Sequence, residues 1–269
     1  MLEIVNLLII GLTSFNVKQQ VPNDIPAHNQ YIPARNLKSQ GWLDEINCWT
    51  KNQKMLLNEK KTKTMIFNHT NNYQFTTRLT ANDKPIEVIN STRLLGTIVT
   101  SDLKWDENTA HIVKKANARM ELLRKVASFG TGIEDLKIIY FLFVRSQLEQ
   151  SAVVWHSSLT EENKGDLERV QKSALKIILG EKYQGYQKAL AQLGMDTLDD
   201  RRNYLCLKFA IKSSKHEKAK EMFPLSEKNH QMNTRNNEKF NVQFANTSRL
   251  QNSSIIFMQN MLNEYEASH

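Results

Sequence analysis

The sequence predicts an α+β protein in which short strands and one helix occupy residues 1–103 and helices follow from residue 104. Polar and apolar residues alternate between turn signals in the first part, which is typical of strands with one buried face. From Asp106 onward, apolar residues recur every three or four positions, which is typical of helices that pack on one side. A chain of 269 residues with 40% hydrophobic residues can bury a sizeable core, as one large domain or two small ones.

The first part is expected to begin with a strand and then to cross a long irregular connection. Met1–Ile10 is apolar enough for a strand, and we expect its partner strands to lie outside this chain. Prolines at 22, 26 and 33 predict an irregular segment from Gly11 to Asn36. After it we expect a helix at Leu37–Lys51 and a strand that ends at Phe67. A strand at Tyr73–Thr80 should then lead through a turn to a return strand at Ile86–Ile89. The last extended segment is Arg93–Thr100, in which Gly96 indicates a bulge or a close backbone approach.

The second part is expected to be helical up to a polar linker. Its first helix has an apolar stripe formed by Ile112, Ala116, Met120 and Leu123. Thr160 and Thr197 are suitable N-caps for later helices, and Gly180 is a suitable C-cap. The expected elements are helices at Asp106–Phe129, Ile133–Trp155, Glu161–Leu179, Tyr186–Leu193 and Thr197 to about Lys215, a linker at Ser226–Asn241, and an isolated amphipathic helix at Leu250–Tyr265.

The composition is basic, with 36 Lys and Arg against 28 Asp and Glu and a formal net charge of +8. This excess is compatible with nucleic acid or another acidic surface as a partner, and equally with a basic but ordinary soluble protein. Cys48 and Cys206 lie in helical patterns without zinc-site spacing, so we expect two reduced core thiols in an intracellular protein, nuclear or cytoplasmic. No run approaches the roughly 20 apolar residues of a membrane span, so we expect no membrane partner.

A lysine-rich turn separates a helix from a strand between residues 49 and 67. The order of residues is Trp49, a spacer, Leu57-Asn58-x-x-Lys61-Thr62 and then Met65-x-Phe67. It resembles the palm of reverse transcriptases just after the metal-binding Tyr-x-Asp-Asp hairpin. The resemblance implies that Lys61 lies near the triphosphate of the incoming nucleotide, where an ammonium can neutralise the charge of the leaving group. Taken alone, the turn indicates only a solvated surface rich in lysine.

Two further features follow in the order that the same family shows. The run Arg93-Leu94-Leu95-Gly96, with Ile98 after it, resembles the primer grip, a β-hairpin whose backbone at Leu95 and Gly96 would approach the primer's terminal phosphate. The next helix carries basic residues that we expect opposite its apolar stripe: His111, Lys114, Lys115, Arg119, Arg124 and Lys125. In the family this helix belongs to the thumb, which contacts the template–primer backbone through phosphates. The alternative is a solvated helix face.

Three motifs extend the resemblance, and together with the preceding ones they cover about Trp42 to Phe209. They are Arg145-Ser146-x-Leu148-Glu149 with Val154-Trp155, then Glu168-x-x-Gln171-Lys172 leading to Ile177-x-x-Gly180 and Tyr183, and then Leu198-Asp-Asp-Arg201-Arg202. This order resembles the polymerases of non-long-terminal-repeat retrotransposons of the jockey-like lineages. The resemblance implies a partial palm with a primer-grip-like hairpin at residues 1–103 and a thumb-like helical segment at 104–216. A polar linker and a C-terminal helix would occupy residues 217–269. We expect Arg145 and Glu149 to form a structural ion pair.

The parent activity of that family is RNA-directed DNA polymerisation, which uses two Mg²⁺ ions held by palm aspartates. No Tyr-x-Asp-Asp occurs upstream of Trp49, and we expect Asp199 and Asp200 to be helix-capping residues. We therefore expect a truncated or degenerate, catalytically incomplete fragment with no catalytic or metal residues and no cofactor of its own. Its expected partner is RNA or an RNA–DNA duplex, bound weakly and without sequence specificity.

Two other functions remain open at this point. The helices could serve as a scaffold or interaction protein. The segment Trp49–Phe67 also resembles a region assigned to the N-terminal part of AlkB-like dioxygenases and methyltransferases. However, none of the seven histidines begins a His-x-Asp or His-x-Glu pair, and no Gly-rich loop follows a strand. The residues for iron or S-adenosylmethionine binding are therefore missing, and this function is the most remote of the three.

Overall fold

A computed structural model describes residues 6–9, 33–55, 57–58, 61–67, 79–226 and 240–268 of the chain. The described chain is α+β, as the sequence predicts, and consists mostly of helices with a few short strands in small sheets. It divides into two compact units, Met1–Lys104 and Trp105–His269. The irregular segment expected at Gly11–Asn36 lies outside the described residues up to residue 32, as does most of the linker expected at Ser226–Asn241.

The described residues of the first unit form one long helix and seven short strands. The helix is α1 (Pro33–Asn52). The strands are β1 (Asn6–Ile9), β2 (Lys63–Ile66), β3 (Thr80–Ala81), β4 (Lys84–Pro85), β5 (Glu87–Val88), β6 (Ser91–Leu94) and β7 (Thr97–Thr100). Leu43 of α1 packs with apolar residues from the loops and strands in a small core, formed with Leu57, Leu79, Ala81 and Ile86.

The pairing of these strands corrects three predictions. Strand β1 pairs antiparallel with β2, with Asn6 opposite Ile66, so the expectation that the N-terminal strand has no partner in this chain is wrong. Strand β5 pairs in parallel with β2, whereas the segment after Asp83 was expected to return along the Tyr73–Thr80 strand. In place of that expected hairpin, β3 pairs antiparallel with β4, and residues 73–78 lie outside the described residues. The third correction concerns Arg93–Thr100, which is not one extended run, because Gly96 lies in the turn of a β6–β7 hairpin. A hairpin at this position is what the resemblance to the primer grip implied.

The second unit is built on the packing of α2 (Asp106–Ser128) against α6 (Glu161–Leu179). The predicted stripe of α2 is confirmed, because Ile112, Ala116, Met120 and Leu123 are all buried in the main core. The helix α6 begins at Thr160, whose hydroxyl accepts the Asn163 N–H at 3.2 Å, and ends at Gly180, as predicted. Burial of this stripe holds α2 in place. The N-terminal end of α2 has no side-chain cap, whereas at its C-terminal end the hydroxyls of Ser128 and Thr131 donate to the carbonyls of Lys125 and Val126 at 2.7 and 2.8 Å.

The helix predicted at Ile133–Trp155 is interrupted twice. It consists of α3 (Ile133–Ile139), a π-helix at Tyr140–Arg145, α4 (Ser146–Glu149) and α5 (Ala152–Trp155), followed by a 3₁₀ turn at His156–Ser158. The second break lies at Gln150 and Ser151, where Ser151 has a left-handed φ of 55°. The indole N–H of Trp155 donates to the Gln150 carbonyl oxygen at 3.0 Å, which satisfies the acceptor that the break exposes. Apolar periodicity alone does not reveal such a break.

The remaining helices close the second unit. They are α7 (Tyr186–Leu193), α8 (Leu198–Ser214), α9 (Ser248–Gln251) and α10 (Ser254–Ser268), with a 3₁₀ segment at Glu217–Met222. The predicted cap of α8 is confirmed, because the Thr197 hydroxyl accepts the Asp200 N–H at 3.1 Å. The prediction of an isolated C-terminal helix is wrong, because Met258 and Leu262 of α10 are buried with Cys206 and Ala210 of α8. The prediction of two core thiols is confirmed for Cys206 only, because Cys48 is exposed on α1 about 140° around the helix from Leu43.

Candidate nucleic-acid interface

The β6–β7 hairpin presents Leu95 at its tip. Leu94 pairs with Thr97, so Leu95 and Gly96 form a two-residue turn, with φ of 48° and 92°. Positive φ at both central residues is the type I′ pattern, whose twist matches that of the flanking strands. Glycine adopts this region freely, but a leucine there is an outlier that costs about 1–2 kcal/mol. The Leu95 side chain is 81% exposed, so no packing within the first unit compensates for this strain.

The turn that contains Lys61 is held by Asn58. The Asn58 side-chain Oδ1 accepts the Lys61 N–H at 3.2 Å, and the Asn58 carbonyl accepts the N–H and the hydroxyl of Thr62 at 3.0 and 2.9 Å. Thr62 is buried and Lys61 is exposed. The Asn-x-x-Lys-Thr spacing is therefore explained by the turn itself, and the Lys61 ammonium is accessible to a ligand. Of its lysine neighbours, Lys63 forms an ion pair with Glu87, and Lys60 lies outside the described residues.

The five cations proposed on α2 do not share one face. A helix advances about 100° per residue, so Lys115 and Arg119 lie one turn apart beside the buried stripe, and Lys114 and Lys125 lie on the opposite side. The expectation that all of them lie opposite the stripe is therefore wrong for Lys115, Arg119 and Arg124. Arg124 points in a third direction and forms an ion pair with Glu121 at 3.3 Å. Lys115 is half-buried and the other four are exposed.

These α2 residues and the hairpin tip belong to different units. On α2, four of the cations form two pairs, and the two members of each pair face the same side of the helix at different heights along its axis. Lys115 and Arg119 are about 6 Å apart along the axis, and Lys114 and Lys125 about 16 Å, at 1.5 Å per residue. Side chains spaced along one helix in this way can neutralise several backbone phosphates. The Leu95–Gly96 turn provides exposed backbone instead.

The motifs that carry the family resemblance in the helical part are mostly interior. Glu149 forms ion pairs with Arg145 at 3.2 Å and with Arg201 at 3.3 Å, which joins α4 to α8. The expected structural ion pair is thus present and includes a third residue. Arg202 is fully buried, and its Nε donates to Nδ1 of buried His156 at 3.1 Å. These residues hold helices together and are not available to a ligand.

Gln171 is the centre of a buried hydrogen-bond network. It accepts from the Tyr140 hydroxyl at 2.6 Å and donates to the Tyr186 hydroxyl at 2.9 Å and to the Asp196 carbonyl at 3.0 Å. The Tyr186 hydroxyl also donates to Glu168, which in turn accepts the Leu198 N–H at the start of α8. Burial, above all, raises the pKa of Tyr140 and of Tyr186, so both phenols stay protonated. The Glu168-x-x-Gln171 motif therefore connects α6 to the helices on either side of it.

The two adjacent aspartates lie in the first turn of α8, as predicted. Asp200 forms the reciprocal hydrogen bonds of an N-cap with Thr197, and Asp199 lies 3.8 Å from the Lys164 ammonium and 3.9 Å from the Arg202 guanidinium. Asp199 already faces two cations, and Asp200 caps the helix. These two carboxylates therefore do not suit the binding of the two Mg²⁺ ions of a polymerase. No group of three or more His, Cys, Asp or Glu residues that could hold a metal occurs in the described part of the chain.

Comparison with known proteins adds no relative. No protein-family model matches the chain, and no curated protein or solved structure is significantly similar to it. Among the described helices, none is long and apolar enough to cross a membrane.

One surface was not predicted as a binding site, although Lys172 and Tyr183 belong to a motif of the resemblance. Lys172 and Lys176 of α6 place their ammonium groups over the rings of Tyr186 and Tyr183, at 5.1 and 5.7 Å from the ring centroids. Each tyrosine follows its lysine by 14 or 7 residues, so no local spacing rule connects them. The available signal was the local excess of lysine with two tyrosines nearby.

Proposed function

We propose that this chain is a catalytically incomplete, reverse-transcriptase-like protein that binds the backbone of nucleic-acid duplexes through helix α2. The observation that carries the proposal is the exposure of Lys114, Arg119 and Lys125 on one continuous helix of 23 residues, together with half-buried Lys115. Contacts of this kind are electrostatic and independent of sequence. The parent chemistry would be RNA-directed DNA polymerisation, and the 269 residues contain no Tyr-x-Asp-Asp that could hold its metals.

Two further features support the proposal. The Leu95–Gly96 hairpin precedes α2 in the chain, which is the order in which the resembling polymerases carry their primer grip and thumb. Its strained and exposed leucine fits a site at which function is favoured over stability. The Lys61 ammonium is exposed on a well-defined turn, which suits the role near a triphosphate that the resemblance implies.

A charge-reversal pair on α2 tests this function. We expect Lys115→Glu/Arg119→Glu to weaken binding to an RNA–DNA duplex and to an unrelated DNA duplex by the same factor, about tenfold or more. Lys208→Glu/Lys212→Glu is a matched control, because these exposed residues have the same spacing on helix α8. Binding that both variants reduce equally, or that neither reduces, contradicts the assignment to α2. The circular-dichroism spectra of both variants establish that they are folded.

Catalysis is tested separately. We expect no primer extension on an RNA template with Mg²⁺ and deoxynucleoside triphosphates, because the carboxylates that clamp both metals account for most of the rate enhancement. Extension above a blank that is abolished by heating the protein contradicts the incomplete-polymerase part of the proposal and leaves the binding part intact.

A second candidate function is that of a helical interaction protein, and one observation favours it. Ile138, Leu142 and Phe143 are exposed apolar residues at the junction of α3 and the π-helix, with Leu142 63% exposed. The wider turn of a π-helix places Leu142 and Phe143 on the same side as Ile138. Exposed apolar patches of this kind mark contact surfaces. Sedimentation of the parent chain and of Ile138→Glu/Leu142→Glu distinguishes this function, which predicts association that the variant loses.

A further inference from the structure

A second positively charged surface lies on the C-terminal half of α6 and on the start of α7. Residues 169–188 contain one acidic residue, Glu181, and five cations, namely Arg169, Lys172, Lys176, Lys182 and Lys188. All five cations are exposed, and only Arg169 is engaged by a carboxylate, that of Asp166. We call Lys172, Lys176, Tyr183 and Tyr186 the lysine–tyrosine surface.

Contacts with the protein interior hold the tyrosine rings of this surface in place. Both rings are half-buried and pack against the main core. The Tyr186 hydroxyl is bonded to Glu168 and Gln171 under the surface, so the ring cannot turn away. The two ammonium groups lie over the rings, while the lysine side chains are exposed and can leave at small cost, since an exposed cation–π contact is worth about 0.5–1 kcal/mol. A flat, uncharged group such as a nucleobase can therefore replace each ammonium over its ring, and the displaced ammonium is free to bind a nearby negative charge.

The spacing of the surface suits an unpaired nucleic-acid strand. Lys172 and Lys176 are four residues apart, so their positions on α6 are about 6 Å apart along the helix axis. Stacked bases are about 3.4 Å apart along one strand, and a ring inserted between two bases opens the step to about twice that distance. Paired bases in a duplex hide both faces in the stack, whereas bases of a single strand are free to stack on aromatic side chains.

We propose that the lysine–tyrosine surface binds single-stranded nucleic acid, with bases stacked on Tyr183 and Tyr186 and phosphates bound by Lys172 and Lys176. The affinity is expected to depend little on sequence, because every base has a flat face. The site uses none of the α2 residues and does not rest on the function proposed above.

Fluorescence anisotropy with labelled oligonucleotides tests this proposal. We expect the full chain to bind oligo-dT and oligo-rU single strands, and Lys172→Gln/Lys176→Gln to weaken this binding about tenfold. Tyr183→Leu removes the ring without changing the charge and is expected to weaken it about tenfold as well. Lys208→Gln/Lys212→Gln is the charge-matched control and is expected to leave this binding unchanged.

The same titrations separate the two binding surfaces. We expect Lys172→Gln/Lys176→Gln to leave binding of a blunt duplex within about twofold, and Lys115→Glu/Arg119→Glu to leave single-strand binding within the same limit. Loss of duplex binding in the α2 variant alone leaves this proposal intact. Single-strand affinity that Tyr183→Leu does not change, or that polyglutamate matches, overturns it, because the surface would then bind any polyanion by charge alone.

Discussion

Replacement of Gln171 by leucine is expected to destabilise the second unit, because Gln171 is the sole acceptor given by the structure for the fully buried Tyr140 hydroxyl. A buried donor left without an acceptor costs about 1–3 kcal/mol. The Tyr186 hydroxyl retains Glu168 as a partner, and the carbonyl of exposed Asp196 can be hydrated, so these two groups add little. We expect Gln171→Leu to lower the free energy of unfolding by about 2 kcal/mol.

A double-mutant cycle separates this cause from a general packing defect. Tyr140→Phe leaves the Gln171 Oε1 without its donor and is expected to cost about 1–2 kcal/mol. In Tyr140→Phe/Gln171→Leu both partners are apolar, so the double variant should lose less than the sum of the single losses by about 1–2 kcal/mol. Urea denaturation followed by circular dichroism at 222 nm measures all three. Additive losses would show that the hydrogen bond is not the source of the effect and would refute the structural role assigned to Gln171.

Two other predictions concern titratable groups in the second unit. Burial, above all, lowers the pKa of His156 below its ordinary value of 6.5, with Arg202 acting in the same direction against opposing contributions from Asn203 and Asp199. The unfolded chain therefore binds protons more readily at this residue, so stability is fully present above about pH 6.5 and is lost as the pH falls toward the lowered pKa. A His156→Gln variant should show a flatter decline of the urea midpoint over that window, and an unchanged slope would contradict the assignment. The second prediction concerns the two thiols. Cys48 is exposed and should react with a disulfide reagent at once, whereas Cys206 should react only on unfolding, because burial raises its pKa to about 11. Two equally fast phases of reaction would contradict this prediction.

Local signals in the sequence predicted local structure well. The stripe of α2, the threonine caps of α6 and α8 and the glycine that ends α6 follow from side-chain periodicity and capping chemistry, which act over one or two turns. The coarse α+β class followed from the same signals. The break at Ser151 could not be predicted in this way, because apolar residues continue on both sides of it and the Trp155–Gln150 hydrogen bond is tertiary in origin.

Long-range contacts account for the other differences. The C-terminal helix is not isolated, because its residues Met258 and Leu262 pack on Cys206 and Ala210 of α8. These two pairs of residues are more than 40 positions apart in the chain. The partner of β1 is likewise more than 50 residues away. At the candidate interface, the sequence identified the cationic residues of α2. That these side chains point in three directions follows only when each residue is placed around the helix. The lysine–tyrosine surface joins two elements across a turn, and the motif that contains Lys172 and Tyr183 does not reveal which lysine lies over which ring.

The salt dependence of duplex binding tests the central claim most directly. If Lys114, Lys115, Arg119 and Lys125 each contact one phosphate, the plot of log affinity against log salt concentration for a DNA duplex has a slope of about −3.6. Arg124 is left out because Glu121 already engages it. The account predicts that Lys115→Glu/Arg119→Glu makes this slope shallower by about 2, with no change in Lys208→Glu/Lys212→Glu. A slope near zero for the parent chain, or an unchanged slope in the α2 variant, would contradict nucleic-acid binding by this helix.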